Sequence, residues 1–229
     1  MIDIHTHILP GVDDGATNFL QAKEMVKASA LMGVTDLFLT PHYMKNLNYL
    51  SHYEENLVIF DRLKTEIKEE NLNINLYLGN EIYYDKTIFN NLENNRCVPL
   101  YGNYVLIEFD VEESDWLISE AIFNFKAKGY IPIIAHPERY INVKEIEDYR
   151  IMRKMGAKIQ VNADGFTKES NKATNKFLFK LIKEGLIDFI ASDVHTFREN
   201  RLLDAYNVLV KKFSKEKIDS IFNNRELFN

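Results

Sequence analysis

The chain has 229 residues, 46% of them hydrophobic, and carries 28 Lys and Arg against 34 Asp and Glu, a net charge of −6. This is the composition of an ordinary globular protein, and the excess of acid argues against a nucleic-acid binder that relies on a broad basic face. The single cysteine, Cys97, excludes an intramolecular disulfide and a thiolate zinc cluster, and no apolar run approaches the roughly 20 residues that span a bilayer.

The start, Met1-Ile2-Asp3-Ile4-His5, has neither the basic opening nor the apolar stretch of a signal peptide, and reads as a strand over Ile2–His5. A helix is expected over 17–32, stopping at Gly33, then a strand at Thr35–Leu39. A helix over 52–70 leads to a strand at Asn73–Leu78, and a further strand follows at Tyr104–Phe109. Asp115 is placed to cap a helix over 115–128 that stops at Gly129. Strand Tyr130–Ala135, helix 144–155, strand Lys158–Val161, helix 170–184 and strand Asp188–Ala191 continue the alternation, and the tail reads as helix from about 199 to 222. Strands such as Ile131–Ala135 lack polar alternation, which suits a parallel sheet covered on both faces. No Ser/Gly/Pro-rich linker breaks the chain, so one domain is expected over 1–229. Seven strands with helices between them predict an α/β fold, a distorted (β/α)7 barrel or alternatively a doubly wound open sheet. In both, the site lies where strands end and loops begin. A cytoplasmic protein without membrane insertion is expected.

Five of the six histidines fall at or just after the C-terminal end of an expected strand: His5, His7, His42, His136 and His195. Carboxylates hold equivalent places: Glu81 after Leu76-Tyr77-Leu78-Gly79, Glu108 within Val105-Leu106-Ile107-Glu108, and Asp193 two before His195. Strand ends from distant parts of the chain converge in a parallel fold, so these side chains are expected to form one cluster. The pairs His5/His7 and Asp193/His195 each project to one side of an extended chain. Asp14, in Gly11-Val12-Asp13-Asp14-Gly15, adds an oxygen from a loop. Imidazole and carboxylate without thiolate suit Mn²⁺, Fe or Zn²⁺, and nine candidates for ions that each take about four to six ligands imply two or three ions. His52 opens a helix and is left as surface or cap. Cys97 is followed by Val98-Pro99-Leu100-Tyr101-Gly102-Asn103, without the arginine that a cysteine-based phosphatase loop needs, and reads as a small buried residue. The absence of a GxxxxGK[ST] loop excludes a P-loop kinase.

At these residues the sequence resembles the PHP (polymerase and histidinol phosphatase) superfamily, and more narrowly the manganese-dependent protein-tyrosine phosphatases of bacterial capsule and exopolysaccharide loci. The matching segments are MIDIHTHILPGVDDGA at 1–16, TPHY at 40–43, GNEIYY at 79–84, LIEF at 106–109, IAHPERY at 134–140 and DFIASDVH at 188–195. The resemblance implies a distorted barrel and a trinuclear site built from His5, His7, Asp14, His42, Glu81, Glu108, His136, Asp193 and His195. It also implies a phosphate-binding arginine after the HP motif, here Arg139, and a second after the last histidine. Counting back from Asp204-Ala205-Tyr206 favours Arg198 over Arg201 for the second. The activity implied is phosphomonoester hydrolysis, with phosphotyrosine on a bacterial tyrosine kinase as substrate. Bound metal would lower the pKa of water towards about 7, and the arginines would grip phosphate oxygens as planar forks. A phenol with a pKa near 10 leaves readily; if an acid is needed, Asp14 or His42 acting through water are the candidates. Tyr43, Tyr140 and Phe166 are expected on site-side loops, as candidates to flank a substrate ring. A small-molecule phosphatase of the histidinol-phosphate type, a PHP nuclease and a non-catalytic PHP scaffold stay open as alternatives.

Overall fold

The structure, a computed structural model, describes residues 1–228. Nine strands and eight α-helices are found among them. In order they are β1 (Ile2–Asp3), α1 (Phe19–Leu31), β2 (Asp36–Leu39), β3 (His42–Tyr43), α2 (Tyr53–Glu69), β4 (Asn75–Leu78) and β5 (Glu81–Tyr83). There follow α3 (Ile88–Glu93), β6 (Tyr104–Glu108), α4 (Asp115–Ala127), β7 (Ile131–Ala135), α5 (Ile146–Lys154) and β8 (Lys158–Asn162). The last are α6 (Lys172–Glu184), β9 (Phe189–Ala191), α7 (Leu202–Leu209) and α8 (Lys215–Phe222).

All sheet pairing is parallel, in a three-stranded sheet of order β1-β2-β4 and a six-stranded sheet of order β3-β5-β6-β7-β8-β9. The two extra strands come from breaks in single extended runs. Thr40-Pro41 separates β2 from β3, and Gly79-Asn80 separates β4 from β5. Pro41 has no N–H to donate to a ladder. A Cβ on Gly79 would meet the Leu100 Cα at 2.8 Å, so only glycine lets that chain pass. Hydrogen bonds continue across the breaks, from Gly79 N–H to the Leu39 carbonyl (3.0 Å) and from Glu81 N–H to the Pro41 carbonyl (3.3 Å). The chain beyond β1 is held on both sides: Thr40 N–H donates to the Thr6 carbonyl (2.9 Å), His7 N–H to the Val194 carbonyl (3.0 Å) and Asp193 N–H to the His5 carbonyl (2.9 Å).

Strand residues sort by parity into two cores. Phe38, Tyr104, Leu106, Ile133, Ala135, Phe189 and Ala191 join Ile2 and Ile4 in a smaller cluster. The residues between them, including Leu37, Leu39, Val105, Ile107, Ile134 and Ile190, join the larger cluster that takes in Val26, Leu63, Ile122 and Leu178 from the helices. This is the two-residue strand period with both faces buried, as the unbroken apolar runs require.

Two local expectations are corrected. Ser114, not Asp115, caps α4, its hydroxyl accepting from Leu117 N–H, while Asp115 occupies the first turn. The helix expected over 199–222 is two, because Ser214 caps α8 by accepting from Lys217 N–H. The short α3 had no counterpart in the sequence reading. His52 stands at the N-cap of α2, its backbone N–H donating to the Glu55 carboxylate, as a capping residue should. Cys97 is fully buried, and burial pushes its thiol up to about 12. No helix among the described residues is long and apolar enough to cross a membrane.

At the N-terminal end of β2, buried Asp36 accepts from Thr35 Oγ1 (2.9 Å), Asn75 Nδ2 (3.2 Å), Tyr77 O–H (3.1 Å) and an Arg225 N–H (3.2 Å). Burial raises its pKa, but these donors outweigh burial and hold it below the ordinary value. A depressed pKa means that the stabilisation is present above the unfolded value near pH 4 and is lost as pH falls through the folded one. Asp36→Ala should therefore cost about 1–3 kcal/mol at pH 7. In urea unfolding, the gap to wild type should narrow progressively below about pH 4; a gap independent of pH contradicts this account.

Candidate metal centre

The strand parity that fills the smaller core continues past the strand ends into polar residues. His42 follows Phe38 and Thr40 at the same parity, Glu108 follows Leu106, and Asp193 follows Ala191. The nine side chains expected to cluster all do so. His5, His7, His42, Glu81, His136, Asp193 and His195 are buried, Glu108 is nearly so, and Asp14 is about one-third exposed at 34%.

Glu81 lies at the centre. Its Oε2 is 3.1 Å from His5 Nε2, 3.2 Å from His7 Nε2 and 3.0 Å from His42 Nδ1, and its Oε1 is 3.0 Å from His136 Nε2. Glu108 adds oxygens 3.7 Å from His42 Nδ1 and 3.6 Å from His136 Nε2. Asp193 Oδ1 is 3.4 Å from His5 Nε2, and Asp14 Oδ1 is 3.4 Å from His195 Nε2 and 3.7 Å from His42 Nε2. Four groups have donor atoms within 4.8 Å of one another: His7/Asp14/His42/His195, His5/His7/Glu81, His5/His136/Asp193 and His42/Glu81/Glu108.

Outer contacts fix which imidazole nitrogen faces the pocket. His5 Nδ1 meets Gln160 Oε1 at 3.0 Å, His7 Nδ1 meets Asp13 Oδ2 at 2.8 Å, and His195 Nδ1 meets the Asp193 carbonyl at 2.9 Å. Each partner is an acceptor, so Nδ1 carries the proton and Nε2 presents its lone pair inward. His5 Nε2 and His7 Nε2 then face each other 3.1 Å apart. Asn162 Nδ2 donates to Asp193 Oδ2 (2.7 Å), and Gln160 Nε2 donates to Asn162 Oδ1 (2.9 Å). Two residues of the cluster hold left-handed backbone, His136 at φ +33° and Asp193 at φ +49°, a conformation that non-glycine residues keep only where the surroundings enforce it.

The donor set fits divalent cations. Buried Glu81 Oε2, Glu108 Oε2, His42 Nδ1, His136 Nδ1 and Asp14 Oδ1 make no hydrogen bond, and four carboxylates share one pocket. Burial and the nearby Glu81 push Glu108 up to about 8, while burial lowers His136 to about 4 and keeps that imidazole neutral. Oxygen and nitrogen lone pairs crowded out of water need either protons or cations between them.

Arg139 reaches Asp193 Oδ2 at 3.8 Å, and Arg198 donates to both the side chain and the carbonyl of Asp193. Arg201 points elsewhere, pairing with Glu199 (2.7 Å) and Asp204 (3.2 Å). All three arginines line a cavity of about 790 Å³ beside the pocket. The expected aromatic flank is corrected. Tyr43, Tyr140 and Phe166 are buried, and the Tyr140 hydroxyl is used up in donating to the Ala135 carbonyl (2.7 Å) and accepting from Phe109 N–H (3.1 Å). The aromatics nearest the pocket are Tyr49, whose ring lies 5.8 Å from that of His42, and Phe197, 4.8 Å from His195.

Asp13, Gln160 and Asn162 were missed by the sequence reading. Gln160 and Asn162 were detectable as two amides on one face of β8, alternating with the apolar Ile159 and Val161. Asp13 had no signal beyond adjacency to Asp14.

Convergent imidazoles and carboxylates at the ends of parallel strands define the class: an α/β protein with a pocket fitted to several divalent cations. A family model, "Capsular polysaccharide synthesis, CpsB/CapC", matches residues 1–227, and the chain belongs to that family. It is 32% identical to the putative tyrosine-protein phosphatase CapC of Staphylococcus aureus, covering 99% of this chain and 90% of that one. It is 30% identical to the tyrosine-protein phosphatase YwqE of Bacillus subtilis, covering 99% and 91%. A solved chain from work on YwqE of B. subtilis and CpsB of Streptococcus pneumoniae, described as unique metal-dependent tyrosine phosphatases, superposes with a TM-score of 0.90 at 29% identity over 99% of this chain and 93% of that one. A lactonase variant from Deinococcus radiodurans, 12% identical with a TM-score of 0.59 over 98% and 94%, shares the fold alone.

A Cβ on Gly15 would sit 1.9 Å from the His7 carbonyl oxygen, a backbone clash that no rotamer relieves. Gly15→Ala should therefore displace Asp13 and Asp14 and lower the metal content per chain, read by elemental analysis, while far-UV circular dichroism stays native. Unchanged metal content would contradict the role given to this loop.

Proposed function

We propose that this chain is a metal-dependent tyrosine-protein phosphatase of capsule or exopolysaccharide synthesis, with a bacterial tyrosine kinase as its phosphorylated substrate and the cytoplasm as its place of action. The observation that carries this is the meeting of nine imidazole and carboxylate side chains in one pocket, with Arg139 and Arg198 at its edge. The relatives' names agree with it. In this reading His5, His7, Asp14, His42, Glu81, Glu108, His136, Asp193 and His195 hold two or three ions. Manganese is the proposed metal, on the nitrogen–oxygen donor set without thiolate; Fe and Zn²⁺ fit the same donors. The fold is read as a single domain, a distorted seven-stranded β/α barrel. The hydrogen bonds that join the β1 extension to both β2 and β9, and those that carry pairing across the two strand breaks, support this.

Bound divalent cations supply Lewis-acid stabilisation of phosphoryl oxygens and bring the pKa of a water towards about 7. The chain's own groups do the rest. Arg139 and Arg198 present planar N–H forks to the oxygens that neither react nor leave. Asn162 and Gln160 keep Asp193 and His5 in register, so little rearrangement is needed when charge develops. Asp14 is held below its ordinary pKa, since contacts with His195 and His42 outweigh its burial. It is therefore ionised at neutral pH and suited to holding cations. A phenolate leaving group, with a pKa near 10, makes little demand for an acid.

The test is turnover of a phosphotyrosyl peptide, histidinol phosphate and an oligonucleotide by metal-loaded protein. The phosphotyrosyl peptide should be cleaved far faster than the others. Chelation should abolish turnover, added Mn²⁺ should restore it, and His136→Ala should lower kcat by about 10³-fold or more, since chemistry that rests on the metal ions accounts for several kcal/mol of the barrier. Preference for histidinol phosphate would favour the small-molecule reading, and no phosphate release from any monoester would favour a scaffold.

A further inference from the structure

We infer that Phe197 is the specificity wall of the site: the substrate's phenyl ring stacks on it while the phosphate is held between Arg139 and Arg198. The inference rests on the proposed phosphotyrosine reading and adds the residue that selects aryl over alkyl esters.

Phe197 is 68% exposed although it stands beside the buried cluster. Single exposed aromatics are common and need no explanation by themselves. What sets this one apart is its mounting and its neighbours. His195 N–H donates to the Arg198 carbonyl (3.1 Å) and Arg198 N–H to the His195 carbonyl (3.4 Å), so His195-Thr196-Phe197-Arg198 is a closed turn with Phe197 at its tip. The ring lies 4.8 Å from the His195 imidazole, tilted by 33°, and the Arg198 guanidinium carbon is 5.8 Å from its centroid. One residue of the turn thus belongs to the proposed metal set, one is a proposed phosphate ligand, and the aromatic is fixed between them.

Phe197 lines the same cavity as Arg139 and Arg198. The other exposed large apolar side chain of that lining is Val111, 41% exposed and anchored where its carbonyl accepts from Ile141 N–H (2.8 Å). A phosphate carried on a flat ring can meet the arginines at one end and bury its ring against Phe197 and Val111. A phosphate on a short alkyl chain reaches the arginines equally well and leaves both apolar groups in water. Ring pairs of this kind favour association beyond the area they bury. The wall is held in advance by the turn, so the substrate does not have to order it.

The test compares two uncleavable probes, phenylphosphonate and methylphosphonate, titrated calorimetrically into the Mn²⁺-loaded protein. Phe197→Ala should weaken phenylphosphonate by about three- to tenfold, the size of an aromatic pair contribution, and leave methylphosphonate unchanged. Phe197→Trp should keep the preference, and Phe197→Leu should fall between. The same variants assayed with a phosphotyrosyl peptide should lose kcat/KM in the same order. Equal weakening of both probes, or no change in either, overturns the inference while wild-type turnover of phosphotyrosine leaves the phosphatase reading standing. A wild type that neither cleaves phosphotyrosine nor binds either phosphonate sinks both.

Discussion

Four carboxylates and five imidazoles turned towards one another in a largely buried pocket form the constraint on which the rest of this protein depends. Such a set is stable only with positive charge between its members. Gln160, Asp13 and the Asp193 carbonyl occupy the outer nitrogens of three histidines and turn their inner nitrogens towards one another and the carboxylates. Against the effect of burial, the neighbouring carboxylates hold His5, His7 and His42 above the ordinary imidazole pKa, so a cation entering the pocket would displace protons from these rings. Arg139 and Arg198 supply further positive charge from the rim, where both reach Asp193.

The same two-residue period builds the core and the site. Within the strands it sends Phe38, Leu106 and Ala191 into the smaller cluster; one step further along it delivers His42, Glu108 and Asp193 to the pocket. The site therefore inherits its precision from the packing beneath it. His136 and Asp193, both in left-handed backbone, show where the ends of the strands are bent to bring their side chains in. A site assembled from strand ends can be rigid while the loops around it carry specificity, as the turn bearing Phe197 does.

Much of this was legible in the sequence. Short unbroken apolar runs such as Ile131–Ala135, alternating with longer helical segments, suit strands buried on two faces, and a polar residue of metal-binding type at the end of nearly every one has few readings besides a shared pocket. The illegible parts were those decided by neighbours rather than by local pattern. Strands β3 and β5 are two and three residues long and exist because the sheet beside them offers partners after the breaks at Pro41 and Gly79. Tyr140 looked available to a substrate, yet its hydroxyl joins two strand ends. Counting back favoured Arg198 over Arg201, but spacing alone could not show that Glu199 and Asp204 stand close enough to engage Arg201.

The most direct measurement is anomalous scattering from crystals of protein isolated without chelator, joined to a metal count on the same sample. The account requires two or three ions per chain, each touching members of the set around Glu81. Crystals with that pocket dry or water-filled, grown from protein that turns over phosphotyrosine at its full rate, would contradict it.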